Sequence, residues 1–372
     1  MKIKSLKFHP VVVERQYGTV IAKAGGQAKR TVAKSWFYFL ELTADNGLTG
    51  WGEYSDVDPE ALPKDSADFA ETLAMFTVGR DPFAVQQMHH DYREHFDIAN
   101  DAMASAGRCA MDMAFYDLQG KAARRPVCDL LGGAIRRAVT ISWVAYIREE
   151  LDLIREEIRE KTKAGFTAYK LKVGVNIDLD EERLAIAREE AGPRASIKVD
   201  ANEGWDIPAA IKNIKRLDKF NLAGVETPVP RDDPRDIAAV RRAVKVPIIE
   251  HVKDLAYANA LVRAGAVDVF NIATTGNGGL WHARQVVAIA QAAKLGILLG
   301  STVELGPGTN AQLHLAATIP NLTLPSDLIG PGLYKQHVLK NPHRYVKGQL
   351  HVPKDIGLGG EMDREKMKKL RF

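Results

Sequence analysis

The chain has 372 residues, with 51 basic against 47 acidic residues and a net charge of +4. That length exceeds one ordinary domain, the 46% hydrophobic and 26% charged composition is that of a soluble globular protein, and so mild and dispersed a basic excess gives no footprint for nucleic acid. No run reaches the roughly 18 apolar residues of a membrane span and the opening MKIKSLKFHPVVVE has no signal-peptide core, so no membrane contact and a cytoplasmic location are expected. The two cysteines, Cys109 and Cys128, sit in apolar, helix-like surroundings and read as buried filler rather than as a disulfide framework.

Residues 1 to about 55 read as strands, with Ile3, Leu6, Phe8 and Val11 in an alternating first run and Asp45-Asn46-Gly47 as a hairpin signal in a second. Between them, residues 15–34 hold three glycines and four basic residues outside Arg15, with little apolar content, and read as a mobile loop. From 60 to about 125 the period becomes helical, with Ala106, Ala110, Met113, Ala114 and Leu118 on one face. From about 138, seven short β-branched runs alternate with amphipathic helices: 139–146, 168–173, 196–200, 222–226, 246–250, 268–272 and 296–301. Such a series is the pattern of a parallel β/α barrel, and no Gly-rich phosphate fingerprint follows any strand to favour an open doubly wound sheet. The fold class expected is α/β, with residues 1–130 as a first domain, 131–329 as the barrel, and 330–372 as a tail that leaves the barrel and returns to the first domain.

Working residues of such a barrel sit at the C-terminal ends of its strands. Strand three ends in Asp200, strand four in Glu226 and strand five in Glu250-His251, one strand–helix unit apart. Adjacent parallel strands lie about 4.8 Å apart, so three acids read as converging on one cation, and all-oxygen ligation suits Mg²⁺ or Mn²⁺. A lone carboxylate in such a place usually caps a helix or pairs with a lysine; three after successive apolar runs would repel one another in a crowded site without a cation. Strand two carries Lys170 and Lys172, two apart and so on one side of the strand. Two neighbouring ammonium groups are expected to lower a lysine pKa toward neutrality, as a general base requires.

Several motifs then carry a resemblance across nearly the whole chain: GLTGWGE at 47–53, AMDMAFYDLQGKA at 110–122, LLGG at 130–133, KLK at 170–172, DAN at 200–202, VETP at 225–228, GNGGL at 276–280, GSTVELGPGT at 300–309 and SDLIGP at 326–331. In this order they resemble the muconate-lactonizing branch of the enolase superfamily. The resemblance implies an α+β N-terminal capping domain, a modified (β/α)₇β TIM barrel and one Mg²⁺ held by Asp200, Glu226 and Glu250. It implies Lys172 as general base, Lys170 holding the substrate carboxylate or tuning Lys172, and Glu304 at the barrel mouth. Asn202, Thr274 and Thr275 are the expected substrate contacts, loop 15–34 the substrate cover, a small carboxylate the substrate, and a homo-oligomer the expected assembly.

Two departures bear on the reaction. The branch normally carries a second lysine at the end of strand six, where this chain has Ala273, and its strand five usually ends in Asp-Glu where this chain has Glu250-His251. His251 reads either as a histidine bonded to a carboxylate or as a catalytic acid or base. The expected reactions are a muconate-type lactonising cycloisomerisation, a dehydration of a hydroxy acid or acid sugar, and a racemisation or epimerisation with a non-standard second base. A non-catalytic metal- or acid-binding relative is the reading from another class, and the Lys170/Lys172 pair speaks against it.

Overall fold

The computed structural model describes residues 1–57, 66–96 and 102–372. A long strand β1 (Ile3–Thr19) leads through a two-strand hairpin, β2 (Ala22–Lys23) and β3 (Gln27–Ala28), into β4 (Val32–Ala44) and β5 (Thr49–Val57). β1, β4 and β5 form one antiparallel sheet, and the Asp45–Gly47 turn closes the hairpin between β4 and β5 with Gly47 at φ 82°. The segment expected as a loop is thus largely paired: β1 runs to Thr19, where it meets Val32 beyond a bulge, and the short hairpin between them pairs with itself outside that sheet. Its polar composition hid this, because a two-strand ribbon needs no apolar face when backbone pairing and packing at its base hold it. Arg15 supplies that base, with Nη2 donating to both Asp56 oxygens at 2.8 Å and Nε donating to Ser35 Oγ at 2.9 Å.

Helices α1 (Ser66–Thr77), α2 (Val85–His95), α3 (Ala102–Ala123) and α4 (Val127–Leu130) follow. α3 lies directly on β5: a Cβ at Gly52 would come 1.8 Å from Ala110 O, and one at Gly50 2.4 Å from Ala114 O. The alanine stripe read from the sequence is therefore the face that lets helix and sheet backbones touch.

The chain then builds β6 (Ala138–Thr140), β7 (Trp143–Ala145), α5 (Leu151–Lys163), β8 (Ala168–Lys172), α6 (Ile177–Ala191), β9 (Ser196–Asp200), α7 (Ile207–Leu217), β10 (Gly224–Glu226), α8 (Pro234–Ala243), β11 (Ile248–His251), α9 (Leu255–Ala264), β12 (Val269–Ile272), α10 (Leu280–Ala292), β13 (Gly296–Leu299) and α11 (Pro307–Thr318). The seven strands β7 to β13 pair in sequence order in one curled sheet, in parallel throughout. Parallel bridges Ile297↔Leu322 and Ile141↔Ser326 join its two edges through the segment after α11. Side-chain caps start the helices soon after each strand end: Asn176 for α6, Asp206 for α7, Asp233 for α8 and Asp254 for α9. Inside the barrel, Ile249, Val269 and Leu298 pack with Leu324 into an apolar floor. Gly224 makes room for it, since a Cβ there would lie 2.6 Å from Ile249 Cδ1.

After α12 (Gly330–Leu333), β14 (Gln349–His351) pairs antiparallel with β6, and α13 (Arg364–Lys369) ends against the first sheet, where Val12 N donates to Leu370 O at 2.9 Å. The first sheet also grips the barrel: buried Glu53 accepts from the backbone N–H of Leu305, Gly306 and Gly308 at 2.6, 2.9 and 2.8 Å. Among the described residues no helix is long and apolar enough to cross a membrane.

Candidate active site

A chamber of about 230 Å³ opens at the C-terminal ends of the barrel strands, room for a small organic acid rather than a polymer. Lys170, Lys172, Asp200, Asn202, Glu226 and His251 all line it, so six of the residues expected from the sequence meet in one place. The backbone around it is strained: Asn202, Glu203, Thr227 and Val303 hold φ of 46°, 67°, 43° and 55° and all four line the chamber. Left-handed conformations at non-glycine residues cost about 1–3 kcal/mol each and gather where a site demands them.

The register explains the convergence. Lys172 pairs with Asp200 and Asp200 with Glu226, so the three side chains stand side by side on the inner face. Lys172 Nζ donates to Asp200 Oδ2 at 2.6 Å. Lys170 Nζ, one pleat deeper, donates to Glu226 Oε2 at 2.7 Å and to Asp327 Oδ2 at 3.0 Å, and stands 3.3 Å from Asp200 Oδ2. Lys198, level with Lys170 on the next strand, pairs with Asp327 Oδ1 at 2.7 Å. Three ammonium groups thus face three carboxylates. Burial disfavours the charge on Lys170, but Asp327, Glu226 and Asp200 outweigh it and raise its pKa well above the usual lysine value. The expected lowering by a neighbouring lysine is therefore reversed at Lys170, because carboxylates surround it more closely than Lys172 does. Burial likewise works against the Asp200 charge, and Lys172 and Lys170 hold its pKa below the usual range; Glu226 is raised, with burial the largest cause.

Strand five requires a correction. Glu226 pairs with Ile249, and His251 with Asn271, so Ile249 and His251 face inward and the pleat turns Glu250 to the outer side. Glu250 is fully buried there, accepts from Thr227 Oγ1 at 3.3 Å, and lies 4.0 Å from Arg231 Nε. It does not join Asp200 and Glu226 as a third acid; the side chain of this strand that does face the chamber is His251. The His251 ring packs on the strand-six turn, its Cε1 3.0 Å from where a Gly276 Cβ would stand. Burial, with Arg231 and Lys170 nearby, pushes its pKa down to about 3, so the ring is neutral and both nitrogens have no hydrogen-bond partner among the described residues.

Glu304, Thr274 and Thr275 do not reach the chamber. Glu304 is buried against its own loop, accepting from Thr302 N and Thr302 Oγ1 at 3.0 Å each and from Ser301 Oγ. Thr274 and Thr275 are buried in the turn after β12, under α3, where Ser105 Oγ donates to Thr275 O at 3.4 Å. Lys29, one of the basic residues of the expected substrate cover 15–34, also lines the chamber, and the sequence reading missed Tyr146, Arg231, Asn271 and Asp327, which line it too. Asn271 was within reach of pattern reasoning, since it stands at the inner face of strand six; its Nδ2 donates to Glu226 Oε1 at 2.8 Å.

Among the described residues no three His, Cys, Asp or Glu side chains are gathered as a ready metal cluster. The donor chemistry nevertheless fits a divalent cation with two acids: Asp200 and Glu226 present carboxylates to the chamber, and the buried Asn202 Oδ1 beside them has no partner. The neutral His251 ring offers a further lone pair at the position where the pleat puts a strand-five ligand.

Comparison with known proteins identifies the architecture. Residues 19–132 match the family described as "Mandelate racemase / muconate lactonizing enzyme, N-terminal domain", and residues 153–366 match "Enolase C-terminal domain-like". Muconate cycloisomerase 1 of Rhodococcus opacus is 32% identical over 339 residues, covering 88% of this chain and 89% of that protein. The structure of 2-chloromuconate cycloisomerase from Rhodococcus opacus 1CP superposes with a TM-score of 0.88 at 25% identity, covering all of both chains. The dipeptide epimerase of Enterococcus faecalis V583, solved with Mg and the dipeptide L-Leu-L-Tyr, superposes with a TM-score of 0.85 at 28% identity, covering 97% of this chain and 100% of that one. The capped parallel barrel and these matches together place the chain in the mandelate racemase/muconate lactonizing enzyme family of the enolase superfamily, as an enzyme.

Proposed function

We propose that this enzyme forms an enolate next to a substrate carboxylate, and that its reaction is a muconate-type lactonisation of a small dicarboxylate. The observation that carries the reading is the Lys172 ammonium, open to the chamber and hydrogen-bonded to Asp200 at 2.6 Å, with the Lys170 charge fixed behind it. A proton next to a carboxylate is very weakly acidic, so the site must stabilise negative charge spread over two oxygens. A cation held by Asp200 and Glu226, Mg²⁺ or Mn²⁺, supplies Lewis-acid stabilisation of those oxygens when bound. Lys170 adds a fixed positive charge on the same side. In lactonisation a second substrate carboxylate attacks a double bond, the C–O bond forms, and the electron pair moves onto the carbon next to the first carboxylate. Lys172 Nζ then gives its proton to that carbon, and Asp200 holds the lysine in place. Residues 1–130 and the tail 330–372 act as the cap, and 131–329 as the catalytic barrel.

The two departures of the sequence fit one change. Replacing a strand-five acid by His251 and the strand-six lysine by Ala273 removes one charge of each sign from neighbouring strands, and the net charge of the chamber is kept. A reaction with proton transfer from one side only suits that arrangement. A second reading, racemisation or epimerisation, is favoured by the position of His251, whose ring lies over the strand-six turn beside Ala273. Following the ultraviolet absorbance of cis,cis-muconate with Mg²⁺ or Mn²⁺ present tests the lactonising reading. Steady loss of the diene absorbance with formation of a lactone is expected; deuterium exchange from D₂O without net conversion transfers the assignment to a racemase using His251.

A further inference from the structure

The chamber's charges fall into two layers. At the floor, Lys170, Lys172 and Lys198 each have a carboxylate within 3.0 Å. The mouth is different. Arg231, in the loop after β10, donates from Nε to Glu203 Oε1 at 2.7 Å, while Glu250 Oε1 lies 4.0 Å from the same nitrogen. Its two Nη nitrogens make no hydrogen bond among the described residues, and the side chain is about one-third exposed, on the chamber wall. Glu250, turned out of the chamber by the pleat, stands behind the guanidinium without a hydrogen bond to it, and burial raises its pKa well above the usual glutamate value; the hydrogen bond that sets the direction of the fork is the one to Glu203. From the other side comes Lys29, directly after β3. It lines the same chamber and pairs with no carboxylate among the described residues. The hairpin that carries it is seated on the barrel: a Cβ at Gly26 would lie 3.2 Å from Gly204 O and 3.4 Å from Gly174 O, in the loops after β9 and β8. Two cations from separate elements, one held through its Nε by Glu203, thus line the same chamber with the Arg231 Nη nitrogens and Lys29 Nζ unused among the described residues.

We propose that Arg231 and Lys29 form a second anion subsite at the chamber mouth, so that the substrate is a dianion with one carboxylate at the Lys170/Lys172 floor and the other between Arg231 and Lys29. A planar guanidinium with both Nη atoms available matches a carboxylate in two-point contact, and Lys29 closes over it from the hairpin. The inference rests on the proposed function for its floor half, the seat of the first carboxylate, and extends it by fixing where the second one binds. In the lactonising reaction that second carboxylate is the nucleophile, so the subsite also aims it.

Isothermal titration of the full chain with the straight-chain dicarboxylates from succinate to pimelate, and with the monomethyl ester of each, tests this without turnover. At the best-fitting length the diacid is expected to bind at least about tenfold more tightly than its monoester, the scale of a charge-assisted hydrogen bond. Arg231→Gln and Lys29→Gln each shrink that ratio, and the double variant brings it to about one while the monoester binds as it does to the unaltered protein. Lys29 is exposed on the hairpin, so its variant reads the subsite free of any loss of fold. Equal binding of diacid and monoester at every length, or a preference that survives in the double variant, overturns the subsite. A protein that keeps the diacid preference but neither lactonises muconate nor exchanges deuterium loses the enolate reading and retains the subsite.

Discussion

Lys170→Met asks whether the floor of the chamber depends on one ammonium. The methionine side chain fills nearly the same space, so packing is conserved and the change is electrostatic. It removes the charge shared by Glu226 at 2.7 Å, Asp327 at 3.0 Å and Asp200 at 3.3 Å. Three buried carboxylates then face only Lys172 and Lys198. Removing one partner of a buried ion pair costs about 3–5 kcal/mol, and three acids sharing the lost charge put this case at the upper end. Against a total stability of about 5–15 kcal/mol, urea unfolding at pH 7 followed by circular dichroism resolves such a loss readily. The pH dependence has a definite sign. Burial already raises the Glu226 carboxyl above its ordinary value, and removing Lys170 takes away the charge that most opposes that rise. A group so raised contributes stability that is complete below the unfolded value and is lost as pH rises through the folded value. The deficit of Lys170→Met should therefore shrink as the pH falls from 7 toward 5, and added Mg²⁺ should reduce it at pH 7. A cost under about 1 kcal/mol, or a deficit indifferent to both pH and cation, refutes the view that Lys170 is the counter-charge of this cluster.

Three further outcomes follow from the geometry. Gly52→Ala drives a methyl group to 1.8 Å from Ala110 O and 2.7 Å from Ala110 C, backbone that cannot yield without parting helix from sheet; a loss of about 3 kcal/mol in chemical unfolding is expected. At Glu41, burial is overcome by His9 and Arg364, which bring its carboxyl down to about 2. Its contribution is present above the ordinary glutamate value near 4.5 and is lost as pH falls toward 2, about 1–2 kcal/mol after solvent screening at the half-exposed Arg364; Glu41→Gln should flatten that part of the acid unfolding curve. Glu250→Gln should leave Mn²⁺ affinity, read by electron paramagnetic resonance titration, within about threefold of the unaltered protein, whereas Asp200→Asn should lower it about tenfold or more.

The barrel was legible because each strand is a short β-branched run bounded by an amphipathic helix, and the motif order reinforced that pattern. Asp200, Glu226 and the two lysines were legible for a related reason: they end strands whose lengths fix where the chamber opens. Glu250 was misplaced because strand five reads Val246-Pro247-Ile248-Ile249, apolar on both faces like any strand buried on both sides. With no alternation to show which face is inner, the one-residue difference between Glu250 and His251 stayed hidden until pairing with Glu226 and Asn271 set the register. Thr274, Thr275 and Glu304 lie past the strand ends, in turns whose paths depend on α3 and on Glu53, contacts more than 150 residues away in the chain. Arg231 and Asp327 were passed over for a like reason, since each enters the chamber from a segment beyond a strand end, and Lys29 was legible only as one of several basic residues in 15–34. The hairpin over the mouth read as a loop because its order comes from backbone pairing and from Arg15, and neither leaves an apolar period.

In the proposed reaction Lys172 moves a proton at a carbon beside a carboxylate. Proton NMR of a broad set of small carboxylic acids in D₂O, with Mg²⁺ or Mn²⁺ and with unaltered protein and Lys172→Ala in parallel, tests it. Deuterium should enter beside the carboxylate of recovered acid or product with the unaltered protein alone, while the variant keeps its native circular dichroism. Incorporation at an equal rate in a folded Lys172→Ala would contradict the account.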